Sequence, residues 1–187
     1  MSALKHIPNL LTIVRILLVI PFVGALLSES YQLALLLLFI AGATDGLDGF
    51  LARHYGWFSW FGSVADPVAD KTLLVASFVV FGMMGHLPWW LIYVVVGRDI
   101  LIFGGALLYW RIVGSFEGRP TILGKLCTFY LIAHGIMVLV NLALFTVPHA
   151  VIAYSNWLVA GLCIVSGVHY VYLGVKGLLQ WKSETDD

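Results

Sequence analysis

Four aspartates in two closely spaced pairs are the residues of this sequence best suited to chemistry. Asp45 and Asp48 are three residues apart, and Asp66 and Asp70 are four apart. In a helix, these spacings place each pair on one face. Carboxylates held this close repel one another unless cations join them, and two divalent ions balance their charge. Because oxygen ligands prefer hard cations, the pairs predict Mg²⁺ or Mn²⁺ rather than zinc.

Further charged residues lie inside or at the edge of apolar stretches, where a membrane-spanning helix would carry them. They are Arg15, Lys71, Arg98, Asp99 and Lys125. A charge at the centre of such a helix costs about 2.5–3.5 kcal/mol. We therefore expect these residues and the four aspartates to face a shared polar cavity rather than lipid. A purely structural ion-pair cluster between the acids and the basic residues is the alternative interpretation.

The composition excludes an ordinary soluble protein. Of the 187 residues, 61% are apolar and only 11% are charged, whereas soluble domains contain about 25% charged residues. The mean hydropathy is +0.98. The net charge is zero, so the overall charge indicates no nucleic-acid partner. The two cysteines lie in apolar stretches and imply no disulfide framework.

Six stretches are long and apolar enough to cross a bilayer. They lie at about 8–28, 31–52, 67–85, 88–110, 121–145 and 150–175. An even number of spans puts both termini on one side. That side carries six Lys or Arg residues outside the spans, while the three opposite loops carry none, which indicates that the termini are cytoplasmic. We predict one all-α membrane domain over 1–187, located in the bacterial cytoplasmic (inner) membrane.

The spans determine where the aspartate pairs lie. Span 2 enters from the outer side, so the first pair lies in its cytoplasmic half, and span 3 returns after a short connection. Both pairs should therefore reach the same depth and face one another. The predicted active site is a polar cavity that opens to the cytoplasm.

The full spacing of this region resembles a known signature. The pattern Asp-x₂-Asp-Gly-x₂-Ala-Arg-x₈-Gly-x₃-Asp-x₃-Asp is that of the CDP-alcohol phosphatidyltransferases. Its eight fixed positions are all filled, by Asp45, Asp48, Gly49, Ala52, Arg53, Gly62, Asp66 and Asp70. Eight specified residues at fixed spacing make chance a poor explanation. The similarity extends from residues 7–12 to 120–128 and thins in the last two spans.

The resemblance implies a six-helix membrane enzyme, usually dimeric, in which an acceptor hydroxyl displaces CMP from a CDP-linked lipid. It implies two Mg²⁺ or Mn²⁺ ions bound by Asp45, Asp48 and Asp66. Asp70 is similar to the family's general base and is a further candidate ligand. The residues implied for the nucleotide and diphosphate are Gly49, Ala52, Arg53, Gly62, Asn9 and Thr12. No Ser or Cys of the motif pairs with a His, which favours direct displacement over a covalent intermediate.

Basic residues of spans 4 and 5 are the candidates for binding the acceptor: Arg98, Lys125, Arg119 and Arg111. For Arg98, a structural pair with a carboxylate is the alternative; for Arg111 and Arg119, it is a solvated cytoplasmic loop. Gly97-Arg98-Asp99 and the Pro120–Thr128 segment are most similar to the cardiolipin synthases of this family, which use phosphatidylglycerol. Phosphatidylglycerophosphate synthases, which use glycerol 3-phosphate, usually carry Arg-Glu and a further Arg in span 4; here Phe103-Gly104-Gly105 follows instead.

A divalent-cation transporter is the rival function from another class. Transport sites are usually spread through the depth of the membrane and often occur in repeated halves. This sequence has neither property, since its acids lie near one side and no internal repeat is found. For His134 and His169, both in apolar spans, we expect hydrogen bonds between helices rather than catalysis.

Overall fold

The computed structural model describes the backbone of residues 7–55, 60–114 and 121–185, and the side chains of 13–44, 46–47, 71–114 and 121–183. Within these ranges the secondary structure is entirely helical. The helices are α1 (Ile7–Leu27), α2 (Tyr31–Tyr55), α3 (Trp60–Met83), α4 (Trp89–Val113), α5 (Ile122–Ala143) and α6 (His149–Thr185). The prediction of an all-α protein is confirmed.

Five of the six helices begin within one residue of the predicted spans, and α3 is the exception. This helix begins at Trp60 and includes Pro67, so it starts before the apolar span predicted from about residue 67. A helix is held by backbone hydrogen bonds, so it continues through a polar stretch where the hydropathy falls. The last helix is also longer than predicted and continues to Thr185.

Three of the described helices are long and apolar enough to cross a membrane: Trp89–Val113, Ile122–Ala143 and His149–Ser183. Shorter apolar helical stretches lie at Ile13–Leu27, Tyr31–Thr44 and Lys71–Met83. Each of these six stretches overlaps one of the six predicted spans, and Trp89–Val113 and His149–Ser183 extend beyond theirs. The chain is a membrane protein with at least these three candidate spans, and six crossings remain a prediction.

The chain forms two compact units, and the first comprises Met1–Leu87 and Gly135–Val147. Its helix α1 packs against both α2 and α3. Phe22, Leu26, Phe78 and Phe81 are fully buried in this unit. A hydrogen bond of 3.1 Å between the Tyr31 hydroxyl and His86 Nε2 joins the start of α2 to the turn after α3.

The second unit comprises Pro88–His134 and Pro148–Asp187. Here α4 packs along α6, and Leu91, Val95, Leu131 and Val159 are buried. The helix α4 ends at Gly114, which adopts a left-handed backbone conformation with a φ of 79°. Such a conformation favours glycine, which has no Cβ to clash.

Buried charges distinguish these helices from their apolar surroundings. Arg15 is 1% exposed and Arg98 is 8% exposed, whereas large apolar side chains such as Phe39 and Phe103 are more than 70% exposed. Exposed apolar side chains together with buried charges are expected in lipid, where a charge is costly and apolar surface is not. These two arginines are therefore buried among protein atoms, and the shared polar cavity stays a prediction.

Candidate active site

The two aspartate pairs lie on neighbouring helices of the chain. Asp45 and Asp48 belong to α2, and Asp66 and Asp70 belong to α3. The backbone is helical through both pairs, so their spacings are those of residues on one helix face. Their side chains lie outside the described residues. The metal ligands and the general base therefore remain predictions.

The predicted nucleotide and diphosphate residues belong to the first three helices of the chain. Asn9 and Thr12 lie on α1, Gly49, Ala52 and Arg53 on α2, and Gly62 on α3. They also fall outside the side chains that the structure describes, and their roles stay predictions. Gly46 is the described neighbour, and a Cβ built on it would meet nothing within 4 Å. This position of α2 is therefore open in the described part of the chain.

Within the described side chains, no group of three or more His, Cys, Asp or Glu residues is close enough to hold a metal ion. The four predicted ligands are not among those side chains. The donor set itself fits a pair of hard divalent cations, because it consists of carboxylate oxygens alone, with no sulfur or imidazole.

Arg98 lies in the second unit and forms a buried polar network. Its Nη1 lies 2.6 Å from Asp99 Oδ1, and its Nη2 donates a hydrogen bond of 3.1 Å to Ser166 Oγ on α6. The two charged side chains are 7% and 18% exposed. Arg98 Nε has no hydrogen-bond partner among the described residues. The ion pair proposed as the alternative for Arg98 is present, and one guanidinium N–H remains for another partner.

Lys125 lies in the first turn of α5, and its side chain is exposed. Thr121 caps this helix, since its Oγ1 accepts a hydrogen bond of 3.0 Å from the Gly124 N–H. The Thr121 carbonyl accepts a hydrogen bond of 3.0 Å from the Lys125 N–H. A capped helix start with an exposed ammonium group is well suited to bind an anionic headgroup.

Tyr170 of α6 contacts the start of α5. Its hydroxyl accepts a hydrogen bond of 3.2 Å from the Thr121 N–H. A Cβ built on Gly124 would lie 2.6 Å from the Tyr170 hydroxyl oxygen and 3.1 Å from its ring. Only glycine at position 124 therefore allows the tyrosine to approach this closely.

The other predicted acceptor residues are less informative. Arg111 is exposed in the last turn of α4, where a positive charge interacts favourably with the helix dipole. Arg119 lies outside the described residues. The position of Arg111 is explained by its interaction with the helix dipole, and acceptor binding by Arg111 and Arg119 stays a prediction.

Two contacts of α6 were not predicted from the sequence, those of Ser166 with Arg98 and of Tyr170 with Thr121. The two residues are four apart, so they lie on one face of the helix. A serine and a tyrosine in an apolar helix are each common, and neither shows its distant partner in the sequence. The glycine at 124, within the cap of α5, was the one available signal of a close contact.

Two further polar contacts join α5 to α6. His134 Nδ1 lies 2.7 Å from Ser155 Oγ, which confirms the expected hydrogen bond between helices for this histidine. The thiols of Cys127 and Cys163 are buried and lie 3.4 Å apart. Both contacts lie inside the apolar part of the second unit, where such bonds hold helices together.

Comparison with known proteins identifies the family. The CDP-alcohol phosphatidyltransferase family matches residues 5–168. The "Probable phosphatidylglycerophosphate synthase" of Mycobacterium tuberculosis is 31% identical over 186 residues, covering 95% of this chain and 85% of the relative.

Two other relatives carry different names. The "CDP-diacylglycerol--glycerol-3-phosphate 3-phosphatidyltransferase" of Blochmanniella floridana is 32% identical over 183 residues, covering 95% of each chain. The "Probable cardiolipin synthase (CMP-forming)" of Drosophila melanogaster is 39% identical over 104 residues, which are 54% of this chain and 32% of that protein. The match to the family profile and the two relatives that span nearly the whole chain show that this protein is a membrane transferase of phospholipid biosynthesis and belongs to the CDP-alcohol phosphatidyltransferase family.

Proposed function

We propose that this protein transfers the phosphatidyl group of CDP-diacylglycerol to the hydroxyl of a glycerol-type acceptor and releases CMP. The observation that carries the proposal is the complete eight-residue motif from Asp45 to Asp70, which lies on α2 and α3 within the family match. Two relatives that match 95% of this chain are named "Probable phosphatidylglycerophosphate synthase" and "CDP-diacylglycerol--glycerol-3-phosphate 3-phosphatidyltransferase".

Asp45, Asp48 and Asp66 would hold two Mg²⁺ or Mn²⁺ ions, with Asp70 as a further possible ligand of one of them. Bound there, the ions would supply positive charge against the diphosphate and the departing CMP. Arg53 would add a fixed guanidinium to the same diphosphate. The small residues Gly49, Ala52 and Gly62, together with Asn9 and Thr12, would form the remaining nucleotide side.

Asp70 would act as the general base. The acceptor hydroxyl oxygen forms a bond to the phosphatidyl phosphorus as the bond from that phosphorus to the CMP oxygen breaks, and the hydroxyl proton passes to Asp70. CMP leaves with the bridging oxygen. The step needs no covalent enzyme intermediate, because the hydroxyl of the acceptor is itself the nucleophile.

A Ser–His pair does occur in the described chain, between Ser155 and His134. Ser155 lies six residues after the start of α6, at about 9 Å along a helix that begins on the predicted outer side. The predicted reaction takes place near the cytoplasmic side, so we assign this pair to helix packing and retain direct displacement.

Phosphatidylglycerol, giving cardiolipin, is the acceptor favoured by α4. Phe103 is 75% exposed, and a Cβ built on Gly104 or Gly105 would meet nothing within 4 Å. This stretch of helix is therefore open and apolar, which suits an acceptor with acyl chains. It offers no second cation for a small soluble phosphate.

Glycerol 3-phosphate, giving phosphatidylglycerophosphate, is the second candidate, and the comparisons favour it. The two relatives that match 95% of this chain carry names of that activity. Those named as cardiolipin synthases match about two thirds of the chain or less. For either acceptor, Arg98 and Lys125 are the proposed ligands of the acceptor phosphate, with Arg111 and Arg119 as weaker candidates.

The deciding experiment is lipid mass spectrometry after incubation of the purified protein with CDP-diacylglycerol and each acceptor. Cardiolipin formed only with phosphatidylglycerol supports the first acceptor, and phosphatidylglycerophosphate formed only with glycerol 3-phosphate supports the second. Uptake of radiolabelled Mn²⁺ into proteoliposomes without any lipid product would favour the transporter instead.

We also propose that the protein is a homodimer in the bacterial inner membrane and that its termini are cytoplasmic. Cross-linking would test the dimer, and the accessibility of terminal tags would test the position of the termini.

A further inference from the structure

Tyr170 makes a hydrogen bond that has no role in the reaction proposed above. Its hydroxyl accepts the Thr121 N–H at 3.2 Å. Thr121 directly precedes α5, at the end of a helix where backbone N–H groups have no partner within the helix itself. The tyrosine therefore supplies an acceptor that the helix cannot provide for its own start.

The hydrogen bond is connected to Lys125 through a single residue. The Thr121 N–H binds Tyr170, while the Thr121 carbonyl binds the Lys125 N–H at 3.0 Å. Thr121 Oγ1 also holds the Gly124 N–H at 3.0 Å. A movement of Thr121 therefore shifts the turn that carries the Lys125 side chain.

Packing supports the same contact independently of the hydrogen bond. Gly124 is buried, and a Cβ there would come within 2.6 Å of the Tyr170 hydroxyl oxygen. The Tyr170 ring therefore lies directly against the first turn of α5. Four residues earlier on the same face of α6, Ser166 accepts a hydrogen bond of 3.1 Å from Arg98. One face of α6 thus contacts both of the elements that carry the proposed acceptor ligands.

We propose that Tyr170 is a positioning residue for acceptor binding, which fixes the first turn of α5 and with it the ammonium group of Lys125. The proposal rests on the proposed function, in which Lys125 binds the acceptor phosphate. Tyr170 lies beyond residue 168, where the family match ends. Tyr170 therefore positions Lys125 of this chain although it lies outside the residues that match the family.

The test is the Tyr170→Phe variant of the full-length protein in lipid nanodiscs, which keeps the ring and removes the hydroxyl. We expect the acceptor KM to rise roughly 2- to 10-fold, as for the loss of one hydrogen bond. The KM for CDP-diacylglycerol and the kcat should stay near wild type. Tyr172→Phe is the matched control, because Tyr172 lies two residues away on α6 and is 60% exposed.

A double-mutant cycle separates positioning from general stability. If Tyr170 acts through Lys125, Tyr170→Phe should add little to the acceptor KM of a Lys125→Ala protein. Gly124→Ala is a second perturbation of the same contact and should raise the acceptor KM in the same direction. Amide hydrogen exchange should become faster at Thr121 in Tyr170→Phe but not in Tyr172→Phe.

Three results would overturn the proposal. An unchanged acceptor KM in Tyr170→Phe, with faster exchange at Thr121, would mean that the contact is only structural. Additive effects of Tyr170→Phe and Lys125→Ala would mean that the tyrosine does not act through the lysine. A wild-type protein that transfers to neither acceptor would overturn this proposal together with the proposed function, and the wild-type assay alone identifies that case.

Discussion

Replacing Asp99 by Asn tests whether the buried charge of Arg98 is balanced as the structure indicates. The Arg98 side chain is 7% exposed, and its Nη1 lies 2.6 Å from Asp99 Oδ1. Loss of one partner of a buried ion pair costs about 3–5 kcal/mol. Because the Asp99 side chain is 18% exposed, we expect Asp99→Asn to lower the free energy of unfolding by about 3 kcal/mol, the lower end of that range.

Ser166→Ala is the smaller perturbation of the same network. It removes a neutral acceptor, at 3.1 Å, from the charged Nη2 of Arg98. Hydrogen bonds to charged groups contribute about 1.5–3 kcal/mol. We therefore expect Ser166→Ala to be destabilising, but no more so than Asp99→Asn. Glu29→Gln is the control, because Glu29 lies exposed in the turn between α1 and α2.

The assay is reversible unfolding in mixed micelles by titration with dodecyl sulfate, combined with acceptor kinetics. A double variant, Arg98→Leu with Asp99→Leu, removes both charges and should recover most of the lost stability. It should still fail to use the acceptor if Arg98 is a ligand. A double variant that is stable and fully active would show that Arg98 is not an acceptor ligand and that its role is the structural ion pair with Asp99. If Asp99→Asn unfolds like Glu29→Gln, the explanation of how the charge is balanced is wrong.

The remaining predictions concern the chemistry. Asp45→Asn should abolish CMP release measured by chromatography, because an amide is a poorer ligand for a divalent cation; near wild-type turnover would exclude the ligand role. Asp70→Asn should still bind CDP-diacylglycerol, but single-turnover transfer should fall about 10²–10⁴-fold; a loss of donor affinity alone would make Asp70 a ligand and not the base. Chelation of divalent cations should stop CMP release and added Mg²⁺ or Mn²⁺ should restore it, while activity in excess chelator would contradict the metal site. Ser155→Ala should leave turnover near wild type, and an inactive but folded variant would favour a covalent intermediate.

The sequence predicts the helices of this protein well, because long apolar stretches are a strong signal in lipid. The helix α3 begins before its predicted apolar span for a physical reason. Hydropathy falls across Gly62 to Asp66, yet the helix runs from Trp60 through this stretch. The polar stretch that carries the chemistry is therefore the one whose secondary structure hydropathy alone predicts least well.

The contacts between helices were much harder to predict than the helices. A soluble helix has one apolar face that indicates its orientation, whereas these helices are apolar on all sides and give no such signal. A pair between Arg98 and a carboxylate was one of two interpretations of the sequence, and the structure shows that the partner is the adjacent residue, Asp99. The partners Ser166 and Tyr170 are 68 and 49 residues away from the groups they bind, and packing alone brings them together.

The most direct test of the central claim is CMP release from CDP-diacylglycerol by the purified protein in nanodiscs, followed with and without a glycerol-type acceptor. We expect CMP and the new phospholipid to appear in equal amounts, and only when both the acceptor and a divalent cation are present. Asp45→Asn should release none under the same conditions. CMP release that is independent of the acceptor, or equal in Asp45→Asn and wild type, would contradict direct transfer at the four-aspartate centre.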